Sequence, residues 1–158
     1  MYKRQSPFAV ADRLLASLFL ITHPRWIGSG FFNNLLGSIL RFWLGSYIGS
    51  KMGTRFPYGT LVINITGSFL IGLVFALLTV RTNWSPNWRY LIPIGFIGGY
   101  TTFSSFEFET LRTIQDGQIG LGLLYVATSV VIGFAAVWGG VIVGRAIAWN
   151  LRLLRKRT

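Results

Sequence analysis

Residues 95–106 read Gly-Phe-Ile-Gly-Gly-Tyr-Thr-Thr-Phe-Ser-Ser-Phe and carry the strongest chemical signal in the chain. Two adjacent glycines followed by two threonines make a poor helix interior, so the pattern predicts an unwound break. At membrane depth, the carbonyls freed by such a break must be buried in protein or bind an ion. Phe103 and Phe106 would share one face of a helix that resumes after the break. They either pack in a core or, because the edge of an aromatic ring is electropositive, line the path of an anion.

Arg41 and Asn64 are polar residues in the middle of otherwise apolar segments. A cation at the centre of a bilayer costs at least about 2.5–3.5 kcal/mol, so Arg41 must face protein, water or an anion. It either binds the carbonyls of a helix end or supplies positive potential that attracts an anion. The Asn64 amide either satisfies a helix break or donates to an anion. Thr60, Thr66 and Ser68 add hydroxyls to the same segment, although such hydroxyls often bond to their own helix.

The composition excludes several classes of chemistry. With no Cys, the chain has no disulfide, thiolate zinc site or Cys nucleophile, and the single histidine, His23, cannot form a histidine cluster. One His and four acidic residues leave few groups for general acid–base catalysis, so we expect a protein that is not an enzyme. The net charge is +11, but the basic residues gather at the ends of apolar segments. That placement suits lipid headgroups better than nucleic acid.

Charge is scarce along most of the sequence, where charged residues make up 12%, compared with about 25% in an average soluble domain. A helix needs about 20 apolar residues to cross the core of a bilayer. Four segments are long enough, at about residues 31–49, 58–80, 90–106 and 119–144. They predict an all-α membrane protein with four transmembrane helices, of which the third is broken.

The first 30 residues have a different pattern. Their apolar stretch, residues 14–21, is too short to span a bilayer. It is either an amphipathic helix on the membrane surface or a signal-like segment, and we favour the helix because no clear small-residue cleavage site follows it. We therefore predict an N-terminal extension at 1–30, a four-helix transmembrane domain at 31–149 and a basic tail at 150–158.

These motifs closely resemble those of the Fluc (CrcB) fluoride channels. The second-helix pattern of that family is present in Gly59-Thr60-Leu61, Asn64, Gly67-Ser68-Phe69 and Gly72. Its third-helix pattern is present in Gly98-Gly99, Thr101-Thr102-Phe103-Ser104, Phe106 and Glu109. The spacing of Gly37 and Arg41 also fits its first helix. The resemblance covers about residues 31–147 and leaves residues 1–30 outside.

The resemblance implies an antiparallel dimer with two fluoride pores, and a role for individual residues. The phenylalanine box of the pore would be Phe103 and Phe106, with Asn64 as the pore asparagine. Hydroxyl positions along the pore would be Thr60, Thr101, Ser104, Tyr125 and Ser129. Backbone carbonyls of Gly98 and Thr101 would hold a structural Na⁺ at the dimer interface. Arg41 would be the vestibule arginine, and Glu109 the acid at the far mouth of the pore.

The chain departs from the family pattern at four places. Asn33-Asn34 replaces the usual paired glycine of the first helix, and Phe42 replaces the usual Tyr after the Arg. Gly133 stands where some members have a further pore serine. Glu107 stands where a small hydroxyl residue is common, and a carboxylate beside Phe106 can repel anions.

The basic residues raise a question of orientation. With four spans, the side of the membrane that carries both termini and the middle loop would hold eleven of them: Lys3, Arg4, Arg13, Arg25, Arg81, Arg89, Arg145, Arg152, Arg155, Lys156 and Arg157. The other side would hold Lys51, Arg55 and Arg112. The positive-inside rule then places the termini in the cytoplasm, whereas an antiparallel homodimer needs a chain that inserts both ways. Either the rule fails here or the subunit pairs with an oppositely oriented paralogue. We favour the homodimer because one chain carries motifs for both pore walls.

We therefore expect a passive channel that exports cytoplasmic fluoride across the cell (inner) membrane. Neutral hydroxyl, amide and ring-edge donors would replace the water around the ion in a narrow pore. The alternative is a small multidrug or proton-coupled antiporter, which needs an essential membrane carboxylate, and Glu107 and Glu109 are the only candidates. A membrane scaffold without transport is a third possibility.

Overall fold

The computed structural model describes residues 24–53, 55–80 and 90–155, and this part of the chain is helical without any strand. The surface helix predicted at 14–21 lies outside the described residues. The predicted limits of the extension, the transmembrane domain and the tail stay predictions. The predicted limit between residues 30 and 31 lies inside the first helix, which begins at Pro24. The predicted limit between residues 149 and 150 lies inside the last helix, which continues to Arg155.

Five helical elements follow one another in the described part of the chain. Helix α1 is Pro24–Met52 and α2 is Tyr58–Val80. The element that we call α3 starts as a π-helix, Tyr90–Ile97, and continues into one α-helical turn, Gly98–Tyr100. Helix α4 is Phe103–Gln115 and α5 is Ile119–Arg155. The π-helix contains Pro93, whose ring clashes with the preceding turn of a regular α-helix and which has no amide hydrogen to donate.

Glycines let α2 and α5 approach each other closely along their whole contact. A Cβ atom added to Gly72 would collide with the carbonyl oxygen of Val137, and one added to Gly140 would collide with that of Phe69. Gly133 lies nearest Ser68 and Gly144 nearest Ala76, so residue numbers rise together over the length of the contact and α2 and α5 run parallel. Close packing through small residues replaces the hydrophobic drive that is missing between helices in lipid.

Helix α1 packs in the same way against α3, since a Cβ atom added to Gly99 would collide with the carbonyl oxygen of Asn34. Helices α3 and α4 both run antiparallel to α2. Tyr100 of α3 contacts Thr66 of α2 through their hydroxyls at 2.9 Å. Glu109 of α4 accepts a hydrogen bond from Thr60, which lies nearly two turns earlier in α2. The two short helices therefore follow one line along the bundle.

The apolar surface of the helices identifies a membrane protein. Among the described residues, α2 and α5 each contain a stretch apolar and long enough to span a bilayer, of 22 and 33 residues respectively. The most apolar part of α5 has only 6% of its residues buried, which no core helix of a soluble protein would tolerate. Its exposed side chains include Phe134, Val131 and Trp138. The predicted all-α membrane class is confirmed.

The α2–α5 contact predicts opposite effects for two glycines of one helix. Gly140→Ala should destabilise the protein by about 1–3 kcal/mol, because the new methyl group meets the α2 backbone. Gly120→Ala is the matched control, since an added Cβ there has no neighbour within 4 Å, and it should leave stability unchanged or raise it. Thermal unfolding of both variants in detergent measures the difference. Equal unfolding temperatures would contradict the packing described here.

Candidate functional site

The backbone between α3 and α4 is extended at two residues. Thr101 has φ −83° and ψ 159°, and Thr102 has φ −149° and ψ 123°. The side chain of Asn64 in α2 binds the backbone of Thr102 at both ends: its amide nitrogen donates to the Thr102 carbonyl at 2.9 Å, and its amide oxygen accepts from the Thr102 N–H at 2.9 Å. These two bonds satisfy backbone groups that an uninterrupted helix would have paired internally.

Side chains also bind the other backbone groups around the extended pair. Arg41 of α1 donates from Nη1 to the Thr101 carbonyl at 3.4 Å, and Ser38 donates to the Gly99 carbonyl at 3.4 Å. The Thr102 hydroxyl caps α4 by accepting from the Ser105 N–H at 3.2 Å. The bond to the Thr101 carbonyl is the contact expected if Arg41 binds a helix end, and it leaves the positive charge of the guanidinium in place. A cation at the carboxyl end of a helix also complements the helix dipole.

A cavity of about 330 Å³, which we call the inner cavity, lies beside the extended pair. Its lining contains no charged residue and is made by Asn64, Gly67, Ser68, Ile71, Ile97, Thr101, Thr102, Phe103, Phe106, Ser129 and Val130. The rings of Phe103 and Phe106 lie 5.7 Å apart. The hydroxyl of Ser129 is buried and has no hydrogen-bond partner among the described residues. The inner cavity therefore offers neutral polar groups and aromatic rings.

A larger cavity of about 910 Å³, the vestibule cavity, opens on the other side of Thr102. Its lining includes three arginines and two carboxylates: Arg41, Arg55, Arg112, Glu109 and Asp116. Glu109 is bound through both oxygens, because Thr60 donates to Oε1 at 2.7 Å and Tyr125 donates to Oε2 at 2.9 Å. The hydroxyls of Thr60 and Tyr125 are therefore used by this carboxylate.

Tyr125 lies between the two cavities and lines neither of them. It is fully buried, and its ring contacts Phe106 at a centroid distance of 5.1 Å. It also meets Phe56, from the segment between α1 and α2, at 5.4 Å and nearly at right angles. Four rings thus form one row from the vestibule cavity to the inner cavity: Phe56, Tyr125, Phe106 and Phe103. We call it the aromatic row.

The structure separates the predicted site residues into groups. Five of them line the inner cavity: Asn64, Thr101, Phe103, Phe106 and Ser129. Arg41, Thr60 and Glu109 line the vestibule cavity, so the arginine and the acid expected at the far mouth share one cavity in the single chain. Gly98 and Ser104 line neither cavity and are exposed, as is Glu107.

Two residues that position the site were not predicted from the sequence. Thr102, rather than its neighbour Thr101, is the residue that Asn64 binds. A threonine hydroxyl that accepts from the N–H three residues later is typical of an N-cap, so the sequence could have indicated Thr102 as the residue that caps a new helix. Phe56 has no such signal, because its contact with Tyr125 joins residues far apart in the chain.

Comparison with known proteins identifies the family. The model of the family described as "CrcB-like protein, Camphor Resistance (CrcB)" matches residues 30–141. The chain is 50% identical to the fluoride-specific ion channel FluC of Acidobacterium capsulatum over 122 residues, which cover 77% of this chain and 95% of that protein. It is 50% identical to the FluC protein of Solibacter usitatus over 69% of this chain and 89% of that one. The chain belongs to the CrcB family.

Family membership confirms the resemblance seen in the motifs. The FluC protein of Citrifermentans bemidjiense is 42% identical over 71% of this chain and 90% of its own length. These CrcB relatives are named as ion channels and not as enzymes, in agreement with the expectation from composition. The family match spans the extended pair and all residues that line the inner cavity.

The two hydrogen bonds from Asn64 predict that the Thr102 N–H loses protection from hydrogen exchange when the Asn64 amide is removed. Asn64→Ala leaves the N–H and carbonyl of Thr102 without these partners, at a cost of about 1–3 kcal/mol for each half-buried group. Amide hydrogen exchange at Thr102 should accelerate at least about tenfold. Thr128→Ala is the control, since that hydroxyl bonds only within its own helix. Unchanged exchange at Thr102 in Asn64→Ala would show that the amide does not hold the extended pair.

Proposed function

We propose that this protein is a passive, fluoride-selective ion channel that exports cytoplasmic fluoride across the cell (inner) membrane. Family membership and relatives named as fluoride-specific ion channels support the proposal. No catalytic step and no coupling to an energy source is part of it. The ion moves down its own gradient because the protein replaces its hydration shell within the bilayer.

The observation that carries the proposal is the combination of groups in the inner cavity. Fluoride needs hydrogen-bond donors when it leaves water, but a fixed positive charge in a dry pore would hold it too tightly to conduct. The buried hydroxyl of Ser129 has no partner, and the rings of Phe103 and Phe106 present electropositive edges. The lining contains no charged residue. Such a site favours a small anion and still releases it.

The vestibule cavity supplies the attraction that the inner cavity lacks. Arg41, Arg55 and Arg112 outnumber Glu109 and Asp116 there, so the lining carries a net positive charge. Positive potential at a wide entrance raises the local anion concentration while the ion is still hydrated. The two cavities thus have different roles. Arginines of the vestibule cavity attract the hydrated anion, and the neutral groups of the inner cavity bind it after it has lost water.

We further propose that α3 and α4 together form one transmembrane span, broken at Thr101 and Thr102, so that the subunit crosses the membrane four times. Their common line antiparallel to α2 supports this. Two such subunits would pack antiparallel with two pores, either as a homodimer or with an oppositely oriented paralogue. The exposed side of α4 carries the charged residue Glu107 together with Phe103 and Phe108. A carboxylate facing lipid is costly, so this side is better suited to contact with a second subunit than with lipid.

A structural Na⁺ at the dimer interface, bound by the carbonyls of Gly98 and Thr101, belongs to the same proposal. The chemistry of the donors fits, because carbonyl oxygens are suitable ligands for a hard cation. Thr102 N–H is the donor that a continuing helix would offer to the Gly98 carbonyl, and it is used by Asn64 instead. Among the described residues, the Thr101 carbonyl accepts the long bond from Arg41 and no shorter one. The ion would supply positive charge to carbonyls that the break leaves weakly paired.

Fluoride release from proteoliposomes tests the proposed function. The purified protein should release fluoride rapidly and retain chloride, and Phe106→Ile should abolish the release because the ring edge is lost. Ser129→Ala should slow it at least about tenfold, which corresponds to one lost donor worth about 1.4 kcal/mol. Thr128→Ala, one residue away, is the matched control because its hydroxyl bonds to its own helix. Release that occurs only with an imposed pH gradient would favour the antiporter instead.

Thiol labelling distinguishes the two kinds of dimer. The chain has no Cys, so a single cysteine introduced by Ser50→Cys, at an exposed position near the end of α1, reports orientation cleanly. In a homodimer with both orientations, an impermeant reagent outside sealed cells should label about half of the protein and permeabilisation should expose the rest. Labelling from one side only would contradict the homodimer and favour pairing with a paralogue.

A further inference from the structure

The aromatic row extends beyond the residues that the pore roles assign. Its first ring, Phe56, belongs to the segment between α1 and α2 and not to any helix of the bundle. It is half-buried, lines the vestibule cavity and meets Tyr125 edge to face, at 5.4 Å with 77° between the ring planes. Nothing in the proposed conduction mechanism uses this residue.

Tyr125 is held from three directions. Its hydroxyl donates to Glu109 at 2.9 Å, its ring rests against Phe106 at 5.1 Å, and Phe56 meets the ring at 5.4 Å. The hydrogen bond fixes the outer end of the side chain, and the ring contacts set the orientation of its plane. An edge-to-face contact between aromatic rings contributes a preferred orientation beyond its buried area. Phe56 is a ring contact that comes from outside α4, the helix that carries Glu109 and Phe106.

The position of Tyr125 makes this restraint matter. The ring contacts Phe56, which lines the vestibule cavity, and Phe106, which lines the inner cavity, and it lines neither cavity itself. A ring that turned would open a wider path between the two linings, whereas a fixed ring keeps any such path narrow. Selection for the smallest halide requires a narrow, defined passage, since a loose one also admits larger anions.

We propose that Phe56 is a positioning residue for ion selectivity, which holds the Tyr125 ring in place between the lining of the vestibule cavity and the lining of the inner cavity. The proposal rests on the proposed function for its transport consequence, but its structural consequence does not depend on fluoride. Replacement of Phe56 by an aliphatic residue removes the edge-to-face contact, and the Tyr125 ring then loses its fixed orientation.

The first test measures transport. Phe56→Leu in proteoliposomes should lower the ratio of fluoride release to chloride release at least tenfold, and Phe56→Tyr should restore it to within about threefold of the unaltered chain because the ring is kept. Phe42→Leu is the matched control: it makes the same chemical change in the lining of the same cavity, at a ring that has no ring contact with Tyr125 among the described residues. A ratio that falls equally in both leucine variants, or in neither, would overturn the proposal. So would the failure of Phe56→Tyr to restore the ratio.

The second test does not use fluoride. Because the chain lacks Cys, Ser129→Cys places a single thiol in the inner cavity, beyond Tyr125 as seen from the vestibule. An impermeant, negatively charged thiol reagent should modify it at least tenfold faster when Phe56→Leu is added than when Phe42→Leu is added. Ser46→Cys, in the vestibule lining, should react rapidly in both backgrounds. Equal rates at residue 129 would overturn the proposal.

The two tests separate the possible failures. An unaltered protein that releases no fluoride would refute the proposed function, and the thiol rates would still decide the role of Phe56. Fluoride release by the unaltered chain, together with equal behaviour of the two leucine variants, would refute the role of Phe56 alone. Unfolding temperatures of both leucine variants well above the assay temperature show that neither effect comes from a loss of folded protein.

Discussion

The structure depends on the pair of hydrogen bonds between the Asn64 side chain and the backbone of Thr102. Within a bilayer no water is available to satisfy an open peptide group, so an extended residue at that depth needs a partner from the protein. An amide is the smallest side chain that offers a donor and an acceptor side by side, and it matches the N–H and carbonyl of a single extended residue. With that match, α3 can end and α4 can begin without unpaired groups at Thr102.

The break in turn decides where the aromatic rings lie. Helix α4 starts directly after the extended pair, with the Thr102 hydroxyl as its cap, and Phe103 and Phe106 occupy its first turn. A continuous helix would add a rotation of about 100° for each residue and aim the rings elsewhere. The polar groups used to satisfy the break are therefore the same ones that position the inner cavity. This explains why the lining combines an amide, two threonines and two phenylalanines within a small volume.

Much of this arrangement could be predicted from the sequence, because it depends on local rules. The helical class followed from apolar segments of sufficient length, and the likeness to the family followed from the motifs around Asn64 and Phe103. The exact unwound residues did not follow, since Gly98 and Gly99 remain helical and only the two threonines are extended. Helix propensity favours a break at glycine, but here α1 packs tightly against Gly99 and the helical turn is kept. The Phe56 contact depends on tertiary packing, which no local pattern encodes.

The hydroxyl groups of the site separate into used and available donors. Thr60 and Tyr125 both donate to Glu109, so neither can bind an anion without releasing the carboxylate. Thr101 donates to the Ile97 carbonyl of its own helical turn. Ser129 alone among the predicted pore hydroxyls has a buried oxygen without a partner in the described part of the chain. An anion that enters the inner cavity therefore meets the Ser129 hydroxyl, the Ser68 hydroxyl and the rings of Phe103 and Phe106. Conduction favours so sparse a set, because each further donor would deepen the site and slow the exit of the ion.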